Sequence, residues 1–374
     1  MTNYLKFAPV LLLTFPVVLG GCQNPAKEHG RYGAPNFTPY GYYDGQPGSG
    51  QYGQYPQAQS LPALRPSINV NYDITSALEA PIGYNIAGAT LALRGQIDAP
   101  LAYSLDDDDG NLDQSVITNH EFSLERQLPN RITVGAVYGG RFENVPGENN
   151  NYDDNFAVFA GGSWGTFFGG NVSDLVREET RRARNAGFIE LAGDGASGRV
   201  ENTSGGYRGR FGPAIVSGLI DENANYDVGV SFQRPIGVKD YRFTARHNNG
   251  TLLAADGLTR LDTRSVSGTA EYVFGSLRMD VQTGYESIED ADRWFTSAGV
   301  AKKAGAWTVS AEGKFGQTDG RDETAALVTL RRDLARGVSA TVALDHRDLQ
   351  TPLDATEFID DKDTRILAAL TYGF

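Results

Sequence analysis

One cysteine stands in 374 residues, so no disulfide framework can staple this chain. No run of about 18 apolar residues occurs anywhere, which excludes a membrane-spanning helix. Basic residues are outnumbered, 33 against 46 acidic, and the net charge of −13 argues against a nucleic-acid partner, which needs a basic footprint. The four histidines are scattered, and nothing calls for a cofactor or a resident metal. What is abundant is glycine (45 residues), with 18 tyrosines and 18 phenylalanines. Aromatic residues favour pleated structure, and that composition suits a twisted, aromatic-rich sheet. The length would serve two or three ordinary domains, but a single large β-structure can use all of it.

The N-terminus reads as a sorting signal. Lys6 supplies a thin positive region, and an apolar segment from Phe7 to Leu19, broken by Pro9 and Pro16, leads into "LGGC". Too short for a span and closed by small residues, it is expected to be cleaved. Leu19-Gly20-Gly21-Cys22 resembles the lipobox of bacterial lipoproteins, in which the cysteine is lipidated and becomes the mature N-terminus. The other reading is a plain secretory signal with an incidental cysteine. Gln23 follows where, by that resemblance, aspartate would favour inner-membrane retention, which implies export to the outer membrane. The expected organisation is a signal peptide over 1–21, a lipid-anchored tether over 22–65 and a barrel domain over 66–374. The tether contains "YGYYDGQPGSGQYGQYPQAQ", Gly/Pro/Gln/Tyr low complexity with too few branched apolar residues to build a core. It serves either as a flexible spacer or as a Tyr-rich binding tail.

From about residue 89 the chain becomes a series of period-two segments. Over 307–316 one face is Trp307, Val309, Ala311, Gly313 and Phe315, and the other is Thr308, Ser310, Glu312, Lys314 and Gly316. Over 277–286, Leu277, Met279, Val281 and Tyr285 oppose Arg278, Asp280, Gln282 and Glu286. The apolar faces carry aromatics near their ends, and the other faces carry full charges. About sixteen such strands can be placed, an even number within the range of transmembrane barrels. Tight connections such as "QLPN", "GSW", "FGP" and "ARG" alternate with longer acidic ones such as "ENVPGENNNYD", "ESIEDAD", "QTDGRD" and "LQTPLDATEFIDDK". Short turns on one rim and long loops on the other form the outer-membrane barrel pattern. A sheet that spans hydrocarbon must close on itself, so the last strand, "RILAALTYGF", should pair with the first. The predicted class is therefore all-β: a closed transmembrane antiparallel β-barrel with an in-folded constriction loop.

Residues 172–201 break the rhythm with "VSDLVREETRRARNAGFIELAGDGASGRVE". Together, the strand count, the turns, the terminal Phe374 and this long charged segment after the fifth strand resemble the general porins of Gram-negative bacteria. That resemblance implies a third external loop folded into the lumen as the constriction. By it, Asp174, Glu178, Glu179, Glu190 and Asp194 would face the channel. Arg94, Arg208, Arg210 and Arg365 are the first choices for the opposing wall, and Arg242, Arg246, Arg278 and Arg347 also fall on polar strand faces. Acids opposite arginines would set a transverse field that favours polar solutes.

Enzyme chemistry is read as absent. His120 and Ser123 are the tempting pair, but three residues apart on a strand they point to opposite faces. "DDDDGN" at 106–111 lacks the glycine register and the final Glu of a calcium loop, and reads as a solvated loop able to bridge lipopolysaccharide through divalent cations. The functional expectation is a passive channel for small hydrophilic solutes and ions, trimeric on the strength of "NFAVFAGGSWGTFFGGN", whose faces are both small or aromatic. Outer-membrane lipids and lipopolysaccharide are its surroundings. The alternative is a non-conducting barrel lipoprotein acting as scaffold or adhesin. Lipidation is testable directly: palmitate labelling should vanish in Cys22→Ser while the barrel still inserts, and undiminished labelling would refute the assignment.

Overall fold

Alternation of inward and outward side chains runs through every long strand of the computed structural model. It describes residues 82–106, 112–144, 151–172, 175–182, 191–200, 203–236, 239–255, 258–354 and 357–374. The expected signal peptide, Cys22 and the tether lie outside the described residues.

The barrel begins with β1 (Ile82–Ile86), β2 (Ala89–Ser104), β3 (Leu112–Gln114), β4 (Val116–Gln127), β5 (Thr133–Asn144), β6 (Asn151–Gly162) and β7 (Gly165–Asn171). A short helix, α1 (Leu175–Thr180), follows. Then come β8 (Ser204–Phe211), β9 (Ala214–Asp221), β10 (Tyr226–Ile236), β11 (Lys239–Leu253), β12 (Arg260–Phe274) and β13 (Leu277–Ile288). The chain ends with β14 (Ala291–Ala304), β15 (Trp307–Thr318), β16 (Arg321–Ala335), β17 (Val338–Pro352) and β18 (Phe358–Gly373).

Sixteen of these strands, β2 and β4 to β18, pair antiparallel in sequence order, and β18 closes on β2 with Arg365 opposite Ser104 and Gly373 opposite Gln96. Closure continues through the last residue: Phe374 N donates to Gly95 O at 2.8 Å and Gly95 N to Phe374 O at 2.9 Å. No β-edge is left at the seam over this stretch, which is the purpose of closing a sheet. The sixteen expected strands are all present. Two short ones lack enough residues for a period to show: β1 lies end to end with β18 along β2, and β3 pairs with residues 101–103 of β2.

Burial follows the period of two. In β12 the pattern is nearly perfect alternation, with Thr263, Ser265, Ser267, Thr269 and Glu271 buried and Val266 half exposed. Outward positions of β13 to β17 form an apolar band that includes Val281, Val309, Val328 and Val342. Aromatics flank the band on both sides. Towards the short-turn rim lie Tyr241 against Tyr272 at 5.0 Å, and Trp307; towards the other rim lie Trp294 against Phe315 at 5.4 Å, and Tyr226 against His247. Apolar outside, polar inside and aromatic girdles at two levels match the surface of a barrel made for a bilayer.

The rims depart from expectation. "ESIEDAD" and "QTDGRD" were expected to be long loops, yet only residues 289–290 and 319–320 separate their strands. Asp319 (φ 47°) and Gly320 (φ 78°) both adopt left-handed backbone, as a two-residue type I′ hairpin requires. Apolar alternation stops where the apolar band stops, whereas ladder hydrogen bonds continue beyond it. The acidic residues therefore extend strands rather than fill loops: Asp360, Asp361 and Asp363 all lie in register on β18.

If this band faces lipid, Val328→Arg in the middle of β16 should cost about 2–4 kcal/mol of unfolding free energy in vesicles. Thr329→Arg, on the inner face, should cost less. Equal losses in a denaturant titration would contradict the inside–outside assignment.

Candidate functional site

The inner face of the barrel is not uniformly polar, and its exceptions locate the site. Val137, Ala157, Phe159, Phe168 and Leu219 turn inward from β5, β6, β7 and β9 and pack with Val172, Leu175, Val176 and Val200 of the long segment. Opposite them, Leu191 packs with Ala325, Leu327, Ala343 and Leu349 on β16 and β17. The segment thus touches apolar ground on two distant parts of the same wall. This also accounts for the two-sided apolarity of "NFAVFAGGSWGTFFGGN". Phe156, Val158 and Phe167 are exposed on the outer face, while Ala157, Phe159 and Phe168 are the seat of α1.

Glycines make room for the crossing. A Cβ on Gly229 would lie 2.5 Å from Thr180 Cγ2 and 2.8 Å from Val176 Cγ1, so β10 admits the helix only because that position has no side chain. A Cβ on Gly250 would lie 2.2 Å from Arg199 O, where Arg199 and Thr251 exchange backbone bonds of 2.9 and 2.8 Å.

Between these docks the wall grips the segment by its polar groups. The carbonyls at the end of α1 need donors, as all helix C-termini do. Arg242 donates to Glu179 O and, at 3.3 Å, to Arg181 O; Thr244 Oγ1 donates to Thr180 O at 2.6 Å. The Glu179 carboxylate receives Arg208 bidentately, at 3.0 and 3.1 Å. Further along, Glu286 accepts from Ser197 N (2.8 Å), Ser197 Oγ (2.8 Å) and Gly198 N (2.9 Å), while Arg246 donates to Gly198 O (2.9 Å) and to Asp227. Arg293 reaches Gly193 O at 3.1 Å.

The centre of the grip is Arg182. Its guanidinium meets Asp194 at 3.0 Å, Asp280 on β13 at 2.5 Å and Glu312 on β15 at 2.5 Å, with 1% of its side chain exposed. Burial works against its charge, but Asp194, Glu312 and Asp280 overcome that and hold the guanidinium protonated well above its ordinary range. A buried cation with three carboxylates is a latch, because each acid loses its bond to the guanidinium if the arginine leaves.

On the far side of the segment remains a cavity of about 680 Å³. The segment contributes Arg177, Leu191 and Asp194 to its lining; the wall contributes Pro100, Ala102, Ile117, Asp345, Arg347, Arg365 and Leu367. Arg365 pairs with Asp345 at 2.7 Å, and Arg347 Nε lies 3.1 Å from Asp361.

The expected site residues therefore divide. Asp194 and Arg365 line the same cavity. Glu179 and Arg208 pair with each other, buried, and are not among its lining residues. Arg210 lies on β8, also outside that lining. Asp174 and Glu190 fall outside the described residues, as do the side chains of Glu178 and Arg94. Arg242 and Arg246 hold loop carbonyls instead of facing open water. Sequence reading missed Arg182, because a charge run carries no sign of which member will be buried, and missed Arg177 and Arg293 for the same reason. His120 stacks on Tyr152 among the outer aromatics, whereas Ser123 is buried inside, so the two stand on opposite faces.

No family model matches the chain, and no curated protein matches it in sequence. Its fold is similar to solved outer-membrane barrels. OmpT, an outer membrane protein of Vibrio cholerae in a trimer form, aligns at 13% identity and TM-score 0.59, over 77% of this chain and 100% of that one. An anion-selective porin from Comamonas acidovorans aligns at 15% and 0.55, over 76% and 100%. The outer membrane channel DcaP of Acinetobacter baumannii aligns at 14% and 0.55, over 78% and 99%. At such identity the likeness is one of fold, a closed sixteen-strand antiparallel barrel.

Arg182→Gln should loosen the segment without opening the barrel. Removing one partner of a buried ion pair costs about 3–5 kcal/mol. Hydrogen exchange at residues 191–200 should accelerate while the ladder amides of β12 to β16 stay protected; unchanged exchange would show that the latch does not hold the segment.

Proposed function

We propose that the chain is an outer-membrane porin of a Gram-negative bacterium, a channel through which small hydrophilic solutes and ions diffuse passively. Residues 172–201 are its constriction. The observation that carries this reading is the charged cavity left beside a segment latched to the inner wall. The segment brings Arg177 and Asp194 to that cavity and the wall brings Arg293, Arg347, Arg365, Asp113, Glu143 and Asp345, so charges of both signs face one polar opening and set up a local field there. The apolar outer band and aromatic girdles support the membrane setting, and the folds of the outer-membrane barrels agree with it. Outer-membrane lipids and lipopolysaccharide would surround the barrel, with a lipid on Cys22 and the tether of 22–65 leading to it. This function requires no catalysis, cofactor or metal.

One observation favours a second reading, the non-conducting scaffold. Much of the inner wall of β12 to β16 is closed by paired charges, with Lys314 and Glu323 at 2.6 Å and neither side chain exposed. Single-channel recording in planar bilayers decides. Conductance steps are expected from purified protein, and their absence would remove the channel. Deleting about ten residues around Glu190 should raise conductance and admit larger solutes. Asp194→Asn should shift selectivity toward anions, because it removes one negative charge from the lining. That shift should shrink at 1 M salt, where the Debye length is about 3 Å. A deletion that leaves conductance and size cutoff unaltered would keep the barrel and discard the constriction.

A homotrimer belongs to the same proposal. Phe122, Leu124, Ala136, Tyr138, Phe156, Val158 and Phe167 give β4 to β7 an exposed, largely apolar face, in keeping with the trimer form of the Vibrio protein. Mass measured in mild detergent should equal three chains; a stable monomer would count against it.

A further inference from the structure

We propose that the cavity beside the constriction segment is a binding site for small monocarboxylates that carry an apolar body, with Arg347 and Arg365 as receptors of the carboxylate. This deepens the channel reading and rests on it for physiological meaning, since the lumen must be a solute route for such a site to serve transport.

The two arginines are diagonal neighbours on one face. Asp345 is opposite Arg365 and Arg347 opposite Asp363, which places the guanidinium-bearing residues about 7–8 Å apart across β17 and β18. Most wall arginines are buried in fixed bonds, but these two keep about a quarter of their side chains exposed, 27% and 26%. Arg347 Nε lies 3.1 Å from Asp361 and Arg365 Nε 3.3 Å from Asp363, yet neither contact is aligned as a hydrogen bond, and both Nε atoms lack an acceptor. Those Nε atoms are themselves buried, so the exposed quarter of each side chain is its Nη end. Among the described residues Arg347 makes no aligned hydrogen bond there and Arg365 only the one to Asp345, which leaves Nη donors for an incoming carboxylate, and guanidinium is the side chain whose planar donors fit that group in pairs.

Beside the arginines the lining turns apolar. Pro100, Ala102 and Leu367 are partly exposed at the cavity, with Ile117 and Leu191 buried behind them, where a lumen shaped only for water and inorganic ions would gain nothing from that exposed apolar surface. An organic body that covers them removes apolar surface from water. A volume of about 680 Å³ falls within the usual range for small-molecule sites. Asp113 and Glu143 also line the cavity, and their charge opposes a second carboxylate on the ligand. The chemistry selects one negative charge and one apolar body.

The test is calorimetric titration of the detergent-solubilised full chain with benzoate, acetate and benzyl alcohol, with heat-modifiable gel migration as the check on folding. Benzoate should bind about tenfold or more tightly than either acetate or benzyl alcohol. Arg347→Gln and Arg365→Gln should each weaken benzoate about tenfold, and Leu367→Asn should narrow the gap between benzoate and acetate. If Arg365→Gln does not fold, because Asp345 has lost its partner, Arg347→Gln decides alone. Equal binding of benzoate and acetate, or wild-type benzoate binding in a folded arginine variant, would overturn the proposal. Failure here is separable from failure of the channel. Conductance steps without benzoate binding discard the site and keep the pore; binding without steps keeps the site and discards the pore.

Discussion

Backbone pairing is the constraint on which the rest of this structure depends. A strand carries a donor and an acceptor at nearly every residue, and a sheet that stops anywhere leaves two rows of them open. Here the ladder runs round sixteen strands and is sealed at its last residue by the two bonds between Phe374 and Gly95. Closure then forces the side chains into two populations, one facing out and one facing a common interior. The same demand follows the chain when it leaves the ladder. Where residues 175–182 and 191–200 lie against the inner wall, carbonyls and amides among them are taken up by Arg242, Thr244, Arg246, Glu286 and Arg293. The charges on strands β11 to β14 are in that sense substitutes for the strand neighbour that a crossing segment lacks.

That substitution changes what the inward arginines mean. Viewed from strand faces alone, each is a source of positive potential in an aqueous pore. In the folded protein most are consumed: Arg208 by Glu179, Arg242 by Glu271 and carbonyls, Arg246 by Asp227, Arg182 by three acids. The few that are incompletely engaged, Arg347 and Arg365, lie on β17 and β18 beside the cavity. Burial, more than charge count, separates anchoring arginines from those left partly exposed in the cavity.

How much of this was legible in the sequence depends on the range of the interaction. Alternation is local, so the sixteen long strands and their inward and outward faces were readable, down to Glu312 and Lys314 opposing Val309 and Phe315. Strand ends were not, because ladder bonds do not require apolar residues; the acidic hairpin at Asp319-Gly320 was mistaken for part of a loop although "DG" is itself a tight-turn signal. Within the site, the special status of residues 172–201 was visible as a break in rhythm. The identity of the latch was not, since Arg182 meets Asp280 and Glu312 from 98 and 130 residues away.

The segment around "FAVFAGG" shows why an anomaly in pattern is worth more than its first explanation. Two apolar faces on a barrel strand suggest a neighbour outside, and the exposed Phe156, Val158 and Phe167 leave that open. The inner face has a different cause, for Ala157, Phe159 and Phe168 are the floor on which α1 rests. An apolar patch inside a polar lumen is costly in water unless something covers it, and here the covering piece is the chain's own helix. The same logic extends across the barrel to Leu191 on Leu327 and Ala343. One covered apolar patch holds Val172, Leu175, Val176 and Val200, a second holds Leu191, and the ion network of Arg182 and Asp194 fixes the residues between. The position of the cavity is then not chosen independently: it is bounded by the wall and by Arg177 and residues 191–197 of the pinned segment.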